Sequence, residues 1–256
     1  MDTIHRLQTP LLAAGRALGT FGAALGTLVL PAMCPGCKRQ TGTPHALCPD
    51  CWSDIRFIER PYCEVLGLPF SHDLGTDILS PEAIAHPPPF DKLRSAVAYE
   101  GKARVLVHMF KYRDSPDLAV MMAGFMARSA DGILEEADAI VAIPLHRRRL
   151  VARRFNQSAE LARQLAKLSK RPFLAGLIER RRHTDHQVGL TRAAREDNVR
   201  GAFAIAKGRE GEIFGKTLVL VDDVFTTGAT IAAATRMLKK AGAARVLVLT
   251  FARVLY

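Results

Sequence analysis

Val219-Leu220-Val221-Asp222-Asp223-Val224-Phe225-Thr226-Thr227-Gly228-Ala229-Thr230 decides the fold of this 256-residue chain. Val219 to Val221 form an apolar, β-prone run suited to a parallel strand buried on both faces. Two carboxylates follow where that strand is expected to end, then small hydroxyl residues and a glycine. From Ile231 to Gly242 the positions Ile231, Ala234, Leu238 and Ala241 fall on one side of a helix. A strand, a short loop and a helix N-terminus make an anion site, because free backbone N–H groups and the positive dipole end point at the ligand. Adjacent acids beside such a cup suit paired ribose hydroxyls, since a carboxylate accepts two hydrogen bonds. An acidic strand end also occurs in P-loop hydrolases, but they need a G-x-x-x-x-G-K-[ST] loop upstream, and the sequence has none. A plain helix cap at Thr226 explains one residue of the run and not the combination.

The run resembles the signature of type I phosphoribosyltransferases, which bind phosphoribosyl pyrophosphate. The resemblance implies that Asp222 and Asp223 are the catalytic acids and hold the ribose 2′- and 3′-hydroxyls. It implies that Thr226, Thr227, Gly228, Ala229 and Thr230 cradle the 5′-phosphate. A second strand, Ala139 to Ile143, leads to Leu145, His146, Arg147, Arg148 and Arg149. In the family the loop at this place holds the pyrophosphate, and guanidinium groups suit it because each gives two parallel hydrogen bonds. His146 reads equally well as a structural histidine. Mg²⁺ is the implied partner of the pyrophosphate and the ribose hydroxyls. Arg180 to Gly201 resembles the loop that closes over the substrate and excludes water. His183 and His186 within it lack a third metal ligand nearby, and Glu196 and Asp197 read as partners of neighbouring arginines.

Alternating strands and helices from Ser95 onward argue a parallel sheet with helices on both faces. The expected strands are Ser95–Tyr99, Ala139–Ile143, Ala202–Ile205, Lys216–Val221 and Arg245–Thr250. The expected helices are Ala103–Tyr112, Pro116–Ser129 and Asn156–Ser169. Ligands in such sheets bind beyond the carboxyl ends of the strands. The expected architecture is α/β, a type I phosphoribosyltransferase fold preceded, as the spacing of Cys34, Cys37, Cys48 and Cys51 implies, by a small zinc-ribbon domain. Residues 1–32 read as an amphipathic helical lead-in, 33–70 as the ribbon, 71–93 as a Pro-rich extended linker and 94–256 as the phosphoribosyltransferase domain. No internal repeat is visible in the sequence.

Hydrophobic content of 48% and charged content of 24% fit a globular chain. The net charge is +11, and Arg147 to Arg209 holds seventeen Lys and Arg against five Asp and Glu. That basic stretch suits a polyanion: pyrophosphate, nucleic acid, or both. Leu11, Leu18, Phe21, Leu25 and Leu28 share one helical stripe, and the charge-free run from 17 to 33 is short for a membrane span. A secretory signal fits poorly as well, so the expected location is cytoplasmic, with no membrane span.

Cys34-x2-Cys37 and Cys48-x2-Cys51 have the spacing of a four-thiolate zinc site, each pair on a turn set by Pro with Gly or Asp. Two disulfides are the competing reading, disfavoured in a reducing compartment. Four thiolates leave no open position for water, so the zinc is expected to be structural. Trp52, Phe57 and Tyr62 are the expected small core of the ribbon.

A zinc ribbon followed by a phosphoribosyltransferase signature resembles the ComF family, proteins linked with DNA uptake in competent bacteria. His108 to Arg113, Ile143 to His146, Arg154 to Gln157, Gln187 to Leu190 and Arg195 to Asn198 also carry the resemblance. Family members often hold a further Cys-x2-Cys pair after the ribbon. Here Cys63 is present but Leu66 stands at its partner's place, which puts a second zinc site in doubt. The resemblance implies phosphoribosyl transfer to an unidentified acceptor. The alternative is a non-catalytic, ligand-gated protein that handles single-stranded DNA, with DNA-uptake or recombination proteins as partners. A structural adaptor is a third class, against which the acidic pair and intact loop argue.

Overall fold

Burial on both faces organises the main sheet. The computed structural model describes residues 32–112, 115–145, 155–181 and 201–255. The N-terminal lead-in, the arginines after Leu145 and most of the Arg180–Gly201 segment lie outside them. Two compact units divide the chain, Met1–Trp52 and Ser53–Tyr256. The strands are β1 (Lys92–Ala98), β2 (Ala139–Ala142), β3 (Ile178–Arg180), β4 (Phe203–Ile205), β5 (Thr217–Phe225) and β6 (Arg245–Arg253). The α-helices are α1 (Pro49–Ser53), α2 (Pro81–Ala85), α3 (Gly101–Tyr112), α4 (Leu118–Arg128), α5 (Ile133–Glu136), α6 (Gln157–Ser169) and α7 (Ala229–Lys240).

The sheet order is β1-β6-β5-β2, and every pair is parallel. Leu218 to Val221 and Val246 to Leu249 are fully buried, as expected of strands covered on both sides. Helices α4 and α6 pack together on one face. On the other, Leu218, Leu220, Val246 and Val248 join Ile231, Ala234 and Leu238 of α7 in one apolar cluster.

Three expectations are corrected by the ladder. Strand β5 continues past Val221: Asp222 lies opposite Thr250 and Phe225 opposite Arg253. Val224 pairs with Ala252 beyond the acids, so they lie within the strand near its end and do not follow it. Ala202–Ile205 contains β4, which pairs antiparallel with β3 outside the main sheet. Within the stretch expected to be extended, Pro81–Ala85 is a helix capped by Ser80.

Contrary to the sequence reading, the chain contains an internal repeat, visible in its hydrogen bonds. In the first hairpin Cys34 N donates to Arg39 O, Lys38 N to Cys34 O, and Thr41 N to Ala32 O. In the second Cys63 N donates to Leu68 O, Gly67 N to Cys63 O, and Phe70 N to Pro61 O. The bridges Met33–Gln40 and Tyr62–Pro69 match. So do the left-handed residues, Lys38 at φ 65° and Gly67 at φ 57°. The second halves correspond too. Cys48 N donates to the Cys34 sulfur at 3.3 Å, and Ser80 N to the Cys63 sulfur at 3.2 Å. Helices α1 and α2 then open on Pro49-Asp50-Cys51 and Pro81-Glu82-Ala83. The chain therefore carries two ribbons, with Cys63, Leu66, Ser80 and Ala83 at the places of Cys34, Cys37, Cys48 and Cys51.

Trp52 is 43% exposed and is no core residue. Phe57 packs edge-on against Phe125 of α4, ring centroids 5.2 Å apart. The guanidinium groups of Arg60 and Arg94 lie 5.0 and 4.5 Å from the Tyr62 ring centroid. Arg94, 1% exposed, is fully matched. It donates to Asp131 at 3.1 and 3.2 Å, lies 3.0 Å from a Glu64 oxygen, and donates to the Glu64 and Leu93 carbonyls. Burial raises the Glu64 and Asp131 carboxyls, but Lys92, Arg94 and Arg60 beside Glu64, and Arg60, Tyr62 and Arg94 beside Asp131, outweigh it and hold both below the usual range.

The second ribbon joins β1 through Gly67, where a Cβ would stand 2.5 Å from the Leu93 carbonyl oxygen at a left-handed φ. Gly67→Ala is expected to cost about 2 kcal/mol or more in urea unfolding. Lys38→Ala, at the matching position of the first hairpin, is expected to stay within about 0.5 kcal/mol. Equal midpoints for Gly67→Ala and wild type would contradict the contact.

Candidate active site and metal centre

All four cysteines of the first ribbon come together. One sulfur from each of Cys34, Cys37, Cys48 and Cys51 lies within 4.8 Å of every other. Cys37 and Cys48 are 3.5 Å apart. A tetrahedral zinc with bonds of about 2.3 Å needs sulfur–sulfur edges of about 3.8 Å, so the donor set fits a structural zinc. The cysteines are free thiols, not disulfides. Burial pushes the Cys34 thiol up, but the N–H groups of Cys48, Cys37 and Gly36 and the Cys37 thiol outweigh it and bring it down to about 6. Burial and the neighbouring thiols push Cys51 up. Apart from these sulfurs the ribbon has little core, with Leu47 packed against them.

The second ribbon has no such set. Gly36 explains why the difference is more than a lost thiol. A Cβ there would meet the Cys51 sulfur at 2.9 Å. Its counterpart is Val65, which packs against the main apolar cluster, with Ala83 at the place of that cysteine. Leu66 and Ala83 fill the metal's place and belong to the main apolar cluster. The Cys63 sulfur is 0% exposed and accepts from Leu66 N and Ser80 N. The second ribbon is thus held by packing and hydrogen bonds.

At the carboxyl edge of the sheet, Asp222, Asp223, Thr226, Gly228, Ala229, Thr230 and Leu145 line one cleft of about 280 Å³. The strand-to-helix turn explains the loop. Gly228 sits at φ 75° as the N-cap of α7, and a Cβ there would meet the Phe225 ring at 2.7 Å. The first N–H groups of α7 have no intrahelical partner. The Thr227 hydroxyl is buried and unpartnered, and Thr227 faces a neighbouring cavity. His146, Arg147, Arg148 and Arg149 lie outside the described residues, as do His183, His186, Glu196 and Asp197.

Two residues to which the sequence reading assigned no role at the site hold the acids. Ser158, in the first turn of α6, donates to Asp222 Oδ1 at 2.8 Å. Lys111, in the last turn of α3, lies 2.9 Å from Asp223 Oδ2. Asp223 N also donates to Asp222 Oδ1 at 2.9 Å. Burial, then the Asp223 charge, pushes the Asp222 carboxyl up to about 7, against the pull of Ser158, Asp223 N–H and Lys111. Folded Asp222 therefore keeps a proton that an unfolded aspartate releases near pH 4. Its contribution to stability is present below that pH and falls as pH rises towards 7. The site favours a partner that compensates the second negative charge.

Wild-type protein is expected to carry one zinc per chain by elemental analysis. Val65→Gly combined with Leu66→Cys, Ser80→Cys and Ala83→Cys rebuilds the second thiolate set and is expected to carry two. The triple cysteine variant that keeps Val65 is expected to hold the second zinc more weakly. Two zinc ions in wild type would contradict the metal-free second ribbon.

The comparisons with known proteins agree with both halves. A double zinc ribbon domain model matches residues 25–82, and a phosphoribosyl transferase domain model matches residues 156–254. DNA utilization protein YhgH of Escherichia coli K12 is 30% identical over 229 residues, 87% of this chain and 91% of that protein. Its counterpart in Salmonella typhimurium is 32% identical over 236 residues, 89% of this chain and 100% of that protein. Competence protein F of Haemophilus influenzae is 26% identical over 226 residues, 86% of this chain and 90% of that protein. Among solved structures, the allosteric regulatory enzyme of purine biosynthesis matches 56% of this chain and 30% of its own, at 23% identity and a TM-score of 0.39. With the cysteine cluster and the sheet-edge cleft in one chain, and relatives this similar along nearly their whole length, the protein belongs to the ComF family, which includes DNA utilization protein YhgH.

Proposed function

We propose that this chain binds phosphoribosyl pyrophosphate with Mg²⁺ at the carboxyl edge of β5 and transfers phosphoribose to an acceptor. The observation that carries the reading is the joint placement of Asp222 and Asp223 with the N-terminus of α7 around one cleft. Asp222 and Asp223 take the ribose 2′- and 3′-hydroxyls as acceptors. The amides of the Thr226–Thr230 turn and the α7 dipole take the 5′-phosphate. Leu145, His146, Arg147 and Arg148 take the pyrophosphate, following the resemblance. Mg²⁺ supplies positive charge to the pyrophosphate and the ribose oxygens when bound. The acids and Lys111 position the sugar as the C1–O bond breaks and its electron pair leaves with pyrophosphate. An acceptor lone pair then bonds C1, and the acceptor gives up a proton.

No described helix is long and apolar enough to cross a membrane, and the reading places the protein in the cytoplasm. A second reading rests on the basic Arg147–Arg209 stretch and on the DNA utilization relatives. In it the chain handles single-stranded DNA under control of the bound sugar phosphate, alongside DNA-uptake or recombination proteins. Affinity for single-stranded DNA then falls steeply with added salt. A screen for pyrophosphate release separates turnover from binding alone.

Calorimetric titration with phosphoribosyl pyrophosphate and Mg²⁺ tests the first reading. Asp222→Asn with Asp223→Asn is expected to weaken binding at least tenfold, about 1.4 kcal/mol. Because Asp222 loses its proton near pH 7, wild-type affinity is expected to rise up to about tenfold from pH 6 to 8. Asp222→Asn, which shares the ligand's own titration, is expected to lack that increment. Equal heats from the double variant and wild type would refute the assignment.

A further inference from the structure

A second, larger cavity of about 1040 Å³ shares the Phe225–Ala229 turn with the cleft of the acids. Phe225, Thr226, Gly228 and Ala229 line both spaces, and Thr227 lines only this one. Asp222, Asp223, Ser158 and Lys111 are not part of its lining. The metal-free ribbon and the segment after it supply apolar wall through Leu66, Leu68 and Pro88, and Ala232 and Val254 supply more. Leu66 and Phe90 also belong to the apolar cluster that holds Leu220 and Ile231, so that wall is anchored in the core. The loss of the second metal site thus coincides with incorporation of that ribbon into the wall of a cavity the size of a small-molecule site.

The cavity also contains an unmatched cation. Arg253, the last residue of β6, is 4% exposed and lines it. One of its Nη atoms donates to the Leu66 carbonyl. Its guanidinium carbon lies 5.2 Å from the Phe225 ring centroid, and its Nε is buried with no hydrogen-bond partner. Its other Nη has no partner among the described residues and is not fully buried, so this is the end of the fork that reaches the open space. Among the described residues no carboxylate lies within ion-pair distance of Arg253. Burial lowers its pKa to about 10, and Glu82 and Cys63 act on it only as nearby charges. Arg94, on the adjoining strand β1, is the internal control. It is equally buried and has two carboxylates and two carbonyls. A buried cation without its anion is costly and persists where something supplies the anion. Two more charges stand at the cavity, Arg236 of α7 and Glu82 of α2, and they offset each other. One uncompensated positive charge remains, which a single negative charge matches.

We propose that this cavity is an effector site for a small ligand with an apolar body and one carboxylate, held by Arg253, whose binding tightens the grip of the adjoining turn on the sugar phosphate. The ligand takes no part in group transfer and needs no nitrogen nucleophile. Its body covers the apolar walls and leaves water. Its carboxylate accepts from the free end of the Arg253 fork, a charge-assisted contact strengthened by the surrounding burial. Phe225, paired with Arg253 across β5 and β6, lies between this anion site and the turn. A turn packed against a ligand in one cavity is already ordered for a ligand in the other, which lowers the cost of the second binding. Linkage makes that gain equal in both directions. Binding at Arg253 stands without the phosphoribosyl-transfer reading, whereas the coupling rests on it.

The test uses the full chain and two probe pairs, octanoate with octanamide and 4-phenylbutanoate with 4-phenylbutanamide. Each probe is titrated with and without saturating phosphoribosyl pyrophosphate and Mg²⁺. At least one carboxylate is expected to bind about tenfold or more tighter than its amide. It is expected to bind the loaded protein without displacing the sugar phosphate, and each ligand to tighten the other by the same factor, about threefold or more. Arg253→Met keeps length and apolar contact but removes the charge, and is expected to abolish the preference for the carboxylate. Ala85→Trp, at an exposed lining position on α2, keeps Arg253 and fills the cavity. It is expected to weaken carboxylate and amide alike while leaving the affinity for phosphoribosyl pyrophosphate alone unchanged. No binding of either carboxylate, equal affinity within both pairs, a preference surviving in Arg253→Met, or wild-type binding in Ala85→Trp would each overturn the site. Competition with the sugar phosphate, or an affinity for it that the carboxylate leaves unchanged or weakens, would overturn the coupling. Failure of phosphoribosyl pyrophosphate to bind by itself contradicts the transfer reading and is read separately, in the titrations without probe.

Discussion

The parallel pairing of β5 with β6 is the constraint on which the rest depends. It fixes Asp222 opposite Thr250 and Phe225 opposite Arg253. That register brings the two acids, the Gly228 turn and the buried arginine to one edge of the sheet. A slip of one residue would exchange the faces of every side chain on β5. It would turn Leu218 and Leu220 out of the core cluster and carry Asp222 away from Ser158. The apolar burial of both strands therefore holds a site whose own chemistry is unfavourable. Two neighbouring carboxylates, one of them raised to about 7, oppose folding near neutrality and are available to a ligand.

The most legible parts of the sequence were those whose chemistry is local. The run from Val219 to Thr230 joins strand, acids, turn and helix start without a gap, so one window contained the design. The spacing of Cys34, Cys37, Cys48 and Cys51 was equally readable, because a metal needs its ligands on short turns. Ser158 and Lys111 were not readable. Each reaches the acids from a distant element, and neither serine at a helix start nor lysine in a last turn is unusual. Lys111 did fall within the His108–Arg113 stretch that carries the family resemblance, but nothing in its spacing pointed to Asp223. The extension of β5 through the acids was hidden for another reason. Carboxylates are poor strand formers, and only the pairing with Thr250 and Ala252 on β6 overrides that preference.

The second ribbon was the largest omission. A metal site is recognised by its ligands, and here three of four have become Leu66, Ser80 and Ala83. What survives is backbone: the same hairpin hydrogen bonds, the same left-handed turn residue and the same capped helix. Backbone geometry outlasts side-chain chemistry because Leu66 and Ala83 replace the metal with buried apolar contact, and Val65 can then stand where Gly36 had to remain glycine. Ser80 keeps the N–H donor to sulfur that Cys48 provides in the first ribbon. One ribbon stays an independent metal-stapled unit, and the other has become part of the phosphoribosyltransferase body.

The central claim is that the edge formed by β5 and α7 receives a sugar phosphate. A crystal structure of the full chain with phosphoribosyl pyrophosphate and Mg²⁺ tests it most directly. The account predicts the 5′-phosphate on the backbone amides of Thr227 to Thr230, with the ribose hydroxyls on Asp222 and Asp223. Density for the sugar phosphate elsewhere, with the Lys111–Asp223 and Ser158–Asp222 contacts undisturbed and both acids remote from any ribose, would contradict it.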